Sequence, residues 1–448
     1  MKFASLAIVK KLQNAGFAAY WAGGSVRDML LAKQQKKKWQ PKDFDIATSA
    51  TPDQIETILP KTYPVGRQFG VLRVHQQGHE FEVATFRSDS GYSDGRHPDA
   101  VLFTNPQEDA KRRDFTINGL FYDPVKKHLY DYVGGQEDLL LGLIRFIGRA
   151  DERIKEDKLR MLRAVRFKNA LGFQYHPHTY NAIKKYAGDI TVVSKERIFD
   201  EMTKILTGPS AASAFGNLED LGLLAIVFPE LEKCKGVAQP KEYHLEGDVW
   251  QHTLKSLNNF PSHPSSTLAW SILLHDVGKP DTFKTAERIR FDGHVTKSAE
   301  IAEKILKRLK APTKFIRDVS WLIRHHMMLD NVLTMSKERR KHWLGNPLFA
   351  DLLLLLRADS LGTIPQGLSL YKKVLAIYKK EKPRRMPKIK KLVDGDNLMQ
   401  IFNLAEGRNV GRLLDALHEA QLDGKVKTKK QALIYLQKLY QQQNKKSP

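Results

Sequence analysis

Cysteine is almost missing from this chain of 448 residues, where Cys234 stands alone. One thiol makes neither an internal disulfide nor a cysteine-based zinc site, so a reducing cytoplasm is the expected setting. Long apolar runs are missing too. The longest aliphatic run, Leu352 to Leu356, is bounded by Asp351 and Arg357, far short of the ~18 apolar residues that a membrane span needs. The opening stretch MKFASLAIVKK returns to lysine after one short apolar patch, too short for a secretory leader. Acidic residues are the third shortage. Asp and Glu number 50 against 73 Lys and Arg, a formal net charge of +23. That excess points to a polyanionic partner, nucleic acid before membrane. Hydrophobic residues at 42% and aromatics at 9% are globular values, which excludes general disorder.

Length alone favours about three domains, since so long a chain exceeds one ordinary core. Residues 1–145 mix helix and strand signals, with a helix expected over 4–15 and strands over 43–47, 71–75 and 81–87. From about residue 150 the apolar spacing turns helical, with a break near 236–241. A basic, proline-bearing stretch at 379–391, KKEKPRRMPKIKK, reads as a linker or basic surface before more helices.

Chemistry gathers first near the start. Gly23-Gly24-Ser25-Val26-Arg27-Asp28 reads as a glycine turn opening a helix, where free N–H groups and the helix dipole favour a phosphate. Asp43-Phe44-Asp45 reads as a strand with both carboxylates on one face. Together they suit a divalent metal bridging to a nucleoside triphosphate. Glu82, on a neighbouring strand, is a candidate third ligand, or an exposed strand charge like Glu80. In RRDFTINGL a helix would put Asp114 and Asn118 on one face, with Arg112 and Arg113 at its positive end, suited to ribose and triphosphate together. Asp157 and Arg160 are three apart, hence on one face of a helix. By spacing alone they are most simply a surface ion pair. As an acceptor–donor pair they also match the edge of cytosine or adenine and reject uracil and guanine, whose carbonyl would face the carboxylate.

The ordered set GGSVRD, DFD, RRDFTINGL, YVGGQEDL, EDKLRMLRAVRF and SKERIFDEM resembles the bacterial class II tRNA nucleotidyltransferases, the family of CCA-adding enzymes and poly(A) polymerases. The resemblance is strong over about the first 230 residues, and the last helices resemble the family's tail. It implies an α+β head of DNA-polymerase-β-like type (1–145), an all-α neck that selects the nucleotide (146–235), a body (236–378) and a tRNA-binding tail (379–448). Carried over, Asp43 and Asp45 are catalytic and hold Mg2+ ions; Glu82 stands beside them as the candidate third catalytic carboxylate. Gly23, Gly24, Arg27, Arg113 and Arg163 surround the nucleotide, Asp114 and Asn118 read its ribose, and Asp157 with Arg160 select its base, oriented by Glu156. ATP, CTP and tRNA are the implied partners. The implied reaction is addition of C and A to tRNA 3′ ends; a poly(A) polymerase or A-adding enzyme is the alternative. Residues 89–99, DSGYSDGRHPD, match the loop used to switch from C to A addition, and Gly119 departs from the family's usual Ala.

A second constellation follows. His252, then LLHDVGKP with His275 and Asp276, and finally Asp359, resemble the HD metal-dependent phosphohydrolase superfamily. This implies a second divalent metal in an HD body, with an activity such as opening a 2′,3′-cyclic phosphate. An HD phosphohydrolase with an RNA-binding head is the alternative of another class. His294, His325 and His326 lie in the same segment, and their spacing alone does not distinguish ligands from ordinary core or surface histidines.

Overall fold

The computed structural model describes residues 1–448 except 40, 42, 91–99, 241, 243, 260, 262–263, 286, 382–390 and 445–448. Most of the expected switching loop and much of the basic stretch at 379–391 therefore lie outside the described residues. Two compact units are found: residues 1–232 with 308–310, and residues 233–307 with 311–448.

The first unit opens with strands β1 (Ala19–Ala22), β2 (Asp45–Thr48), β3 (Thr62–Gly66), β4 (Val71–Gln76) and β5 (His79–Thr85), then β6 (Arg87–Ser90), β7 (Ala100–Phe103), β8 (Phe121–Asp123) and β9 (His128–Tyr130). β6 and β7 pair with each other; the remaining strands form one sheet ordered β3-β4-β5-β2-β1-β8-β9. Only β2 and β5 run parallel within it. Alternation gives the sheet two faces. Trp21, Ile46, Val83 and Leu72 lie on one, buried under the helices Lys2–Asn14 and Pro52–Ile58. On the other, the register brings Glu82, Asp45, Ala22 and Phe121 into a single row.

Within residues 1–145 two local expectations change. The strand expected to begin at Asp43 begins at Asp45, because buried Phe44 turns into an aromatic cluster with Trp21 and Trp39. The helix expected over RRDFTINGL is absent. The helix Pro106–Arg112 stops as Arg113 turns extended, Phe115 bridges to Phe146, and a short 3-10 turn, Thr116–Asn118, follows. Stacking of Phe115 on Phe146, with ring centroids 5.0 Å apart, favours the extended path.

Helices complete this unit. Asp157 closes Ala150–Glu156 and Arg160 opens Arg160–Leu171, so the single helix expected to carry both is two. Lys195–Leu206 packs an apolar stripe of Ile198, Met202, Ile205 and Leu206 inward. The second unit is mainly helical and, among the described residues, has one hairpin, Phe283–Thr285 with Ile289–Phe291, that helical periodicity did not reveal. Its last helices, Gly395–Phe402, Arg408–Leu422 and Lys429–Asn444, share a core of Leu398, Leu413, Leu417 and Leu436.

Candidate active site and candidate metal centre

Gly23 makes the turn into the helix Gly24–Gln34 at φ +67°, a left-handed conformation that favours glycine. A Cβ there would stand 3.3 Å from Arg113 Nη1 and 3.4 Å from Asp45 Oδ2. The turn thus lies against the row of carboxylates. Burial, with Asp43 and Glu82 adding and Arg113 opposing, pushes the Asp45 carboxyl up to about 6. Acids that repel one another beside a helix N-terminus fit a divalent cation shared with phosphate oxygens. Asp43, Asp45 and Glu82 do not all converge within 4.8 Å, as the donor groups of the second unit do.

Around this edge the charged side chains are pinned in a chain. Arg27 donates to Asp28 Oδ1 and to Asn118 Oδ1, both at 2.8 Å. Asn118 Nδ2 donates to Asp114 Oδ1 at 3.0 Å, and Arg163 grips Asp114 Oδ2 at 2.9 and 2.5 Å. So Asp114 and Asn118 do meet, although no helix places them. Burial would raise the Asp114 carboxyl, but Arg163 and the hydrogen bonds from Asn118, Arg163 and the Phe115 amide outweigh it and hold it at about 2. Arg113 is forked onto buried Asp109 at 3.1 and 3.0 Å.

Asp157 and Arg160 are not paired with each other by their side chains; each has its own partner. Arg160 donates to Glu156 Oε2 at 2.6 Å and to the Arg153 carbonyl at 2.8 Å. Arg153 donates to Glu156 and to the carbonyls of Arg112 and Arg113, tying these helices to the segment bearing Asp114. Asp157 is held by Arg197 from the helix Lys195–Leu206. Sequence reasoning gave Arg197 no role. The signal available was its place in SKERIFDEM, one turn into a helix.

In the second unit, His252 lies on the helix Val249–Leu257, His275 and Asp276 end Ser266–Leu274, and Asp359 lies on Phe349–Gly362. The structure brings all of them together. His252 Nε2 is 3.0 Å from Asp359 Oδ1 and 3.3 Å from His275 Nε2, which is 3.2 Å from Asp276 Oδ2. His294 joins them, its Nε2 3.5 Å from Asp276 Oδ1, and His326 packs against the rings of His275 and His294. His325 stays out, between Trp321 and Trp343.

The other ring nitrogens explain why this cluster fits a metal. Nδ1 of His275, His294 and His326 faces a backbone carbonyl at 2.8, 3.0 and 2.7 Å, and Nδ1 of His252 faces Glu246 at 3.0 Å. These partners only accept, so each Nδ1 carries a proton and Nε2 is the nitrogen each ring turns to the cluster, its lone pair open to a metal that displaces any proton held there. Asp276 turns one oxygen to each side, toward His275 and toward His294. Lys279 Nζ lies 2.7 Å from the former oxygen. Burial opposes a charge on His275, yet Asp276 and Asp359 lift it to about 10, while burial and His275 push His326 down to about 4. A cluster that draws a proton so strongly has the donors and charge for one or two divalent ions, and its imidazoles suit transition metals.

A carboxylate row on a mixed sheet, beside a glycine turn into a helix, defines the head of a nucleotidyltransferase of DNA-polymerase-β-like fold. Three family models match: the poly(A) polymerase head domain over residues 19–145, the "Probable RNA and SrmB- binding site of polymerase A" over 172–235, and tRNA nucleotidyltransferase domain 2 over 293–436. Over these three segments the chain is similar to poly(A) polymerases and tRNA nucleotidyltransferases. It is 42% identical over 213 residues to a CCA-adding enzyme of Staphylococcus saprophyticus, covering 47% of this chain and 52% of that protein. A CCA-adding enzyme of Staphylococcus aureus is 41% identical over 215 residues, covering 48% and 52%. The chain thus spans about half the length of the curated relatives it matches. The solved structure of the Bacillus stearothermophilus CCA-adding enzyme in complex with CTP superposes with a TM-score of 0.70 at 27% identity, covering 99% of this chain and 98% of that one. No helix is long and apolar enough to cross a membrane among the described residues.

Proposed function

We propose that this protein adds C and A, taken from CTP and ATP, to the 3′ end of tRNA without a nucleic-acid template, in the cytoplasm. The observation that carries this reading is the separate anchoring of Asp157 and Arg160. A carboxylate and a guanidinium held from behind, and not by each other, keep hydrogen-bonding capacity for a base edge. The amino group and ring nitrogen of cytosine or adenine complement that pair. Asp114 and Asn118 face the sugar, Gly23 and Gly24 leave room for phosphates, and Arg27 holds Asn118 in place. Asp43 and Asp45, with Glu82, would hold Mg2+, which when bound supplies activation of the attacking 3′-hydroxyl and neutralises charge on the α-phosphate and leaving pyrophosphate. The net charge of +23 suits tRNA phosphates. The test incubates tRNAs ending before, within and after CC with each NTP. Stepwise completion of CCA supports the reading, long tails with ATP alone indicate poly(A) synthesis, and activity surviving Asp43→Ala/Asp45→Ala overturns it.

A second reading adds to the first: the second unit hydrolyses a phosphate ester. The convergence of His252, His275, His294, His326, Asp276 and Asp359 favours it. Metal-loaded protein should cleave a test ester such as a 2′,3′-cyclic phosphate, and His275→Ala should not. Equal hydrolysis by both proteins, or none by the wild type, removes this reading and leaves nucleotide addition untouched.

A further inference from the structure

Glu246 lies outside every motif discussed so far, yet its side chain is fully buried beside the second unit's histidines. Its Oε1 is 2.6 Å from His244 Nδ1 and 3.0 Å from His252 Nδ1, and its Oε2 accepts the Ile364 N–H at 2.8 Å. The neighbouring amide of Leu245 donates to the Ile364 carbonyl at 2.9 Å. We infer that Glu246 is a positioning residue for the metal centre proposed above: its carboxylate dictates which nitrogen of His252 meets the metal and clips together the two helices that bring His252 and Asp359.

The argument is one of donors and acceptors. An ionised carboxylate only accepts, so His252 must present Nδ1–H to Glu246, which makes Nε2, the nitrogen facing Asp359 and His275, the one left to a metal that displaces any proton shared with Asp359. Glu246 is not itself a ligand to that cluster, because it meets His252 at the nitrogen opposite the one facing the cluster. Its second oxygen acts on the other helix. Phe349–Gly362 carries Asp359, and Ile364 follows its end. One buried group therefore sets the tautomer of one ligand and the seat of another.

Glutamine at this position cannot do both. Its single oxygen serves either the Ile364 amide or the histidines. If it serves Ile364, its NH2 faces His252, which then accepts on Nδ1 and carries its proton on Nε2, aimed into the ligand cluster. If it serves His252, the Ile364 N–H faces an NH2 and the clip opens.

This inference rests on the metal-centre reading, and the experiment separates the two. Co2+ binding is followed by visible absorption on the full chain carrying Asp43→Ala/Asp45→Ala, which silences the head. Glu246→Gln is expected to weaken Co2+ binding about 10- to 100-fold, measured at a temperature where circular dichroism shows the variant folded. His244→Gln, which removes the partner outside the cluster, is expected to bind as before. Equal Co2+ affinity with and without Glu246→Gln overturns the positioning role and leaves the metal centre standing. No Co2+ binding with Glu246 intact overturns both. Should Glu246→Gln fail to fold, imidazole 15N spectra of the unsubstituted metal-free chain decide, with His252 assigned by its loss in His252→Gln. A proton on Nδ1, with or without one on Nε2, supports the inference, and an Nδ1 without a proton overturns it.

Discussion

Arg197 holds Asp157 by both carboxylate oxygens, Nη1 at 3.1 Å from Oδ1 and Nη2 at 2.7 Å from Oδ2. The fork fixes the plane of the carboxylate as well as its position, which a base-reading group requires and a surface ion pair does not. Arg197→Lys keeps the charge and loses the fork. It is expected to lower kcat/KM for CTP and ATP about 10- to 100-fold, or about 1–3 kcal/mol, and to raise misincorporation of UTP and GTP. Single-nucleotide addition with each NTP reads both. Unchanged discrimination would reduce Arg197 to a structural tie.

How far the sequence went can be judged from such contacts. The strands β2, β4 and β5 and the helical remainder were legible because strands alternate and helices repeat along the chain, whereas the short strands β1, β3, β8 and β9 of the sheet showed no clear alternation; the glycine turn announced itself by residue type. Arg197 and Glu246 were not. Each acts across 40 and 6 residues respectively, through a hydrogen bond whose partner no local pattern names. Asp114 and Asn118 came together for a reason other than the one expected. Helix spacing predicted their contact, but an extended Phe115 and a 3-10 turn deliver it. Of His294, His325 and His326, spacing did not separate His326 from His325; adjacent on the chain, they point to the candidate metal centre and to a pair of tryptophans.

The raised Asp45 carboxyl makes the active edge a place where function costs stability. Its value rises from 3.8 to about 6 on folding, through burial first and then Asp43. Below the lower value the group is neutral in both states. Between the two the folded chain keeps a proton that the unfolded chain has lost, so stability falls as pH rises and stays lower above 6. Asp45→Asn should therefore raise the melting temperature of metal-free protein at pH 7.5 and leave it unchanged at pH 3.5. The same substitution should abolish nucleotide addition and the stabilisation that Mg2+ with CTP gives the wild type. A melting temperature lowered at pH 7.5 would contradict the repulsion.

Asp114 behaves with the opposite sign. Its carboxyl, held at about 2 chiefly by Arg163 against the effect of burial, contributes about 2 kcal/mol that is present above about pH 4 and lost as pH falls toward 2. Asp114→Asn should be destabilising in urea unfolding at pH 7 and nearly neutral at pH 2. Because Asn118 leans on the same carboxylate, the substitution should also raise KM for CTP and ATP together, with no preference between bases. A change in base choice would place Asp114 with the selecting pair instead.

Gly362 shows how closely the helices bearing His252 and Asp359 must approach. A Cβ there would fall 2.2 Å from Ser256 Oγ and 2.9 Å from the Ser256 amide nitrogen. A serine rotamer could relieve the first contact, but backbone must move to relieve the second. Gly362→Ala should therefore push Phe349–Gly362 away from Val249–Leu257, separating Asp359 from His252, which now lie 3.0 Å apart. The overpacking should cost about 1–3 kcal/mol in unfolding and weaken Co2+ binding as well. Ser256→Ala alone should be mild, and in combination with Gly362→Ala it should restore little, because the amide contact remains. Full rescue by Ser256→Ala would show that the hydroxyl, not the backbone, sets the spacing of the two helices.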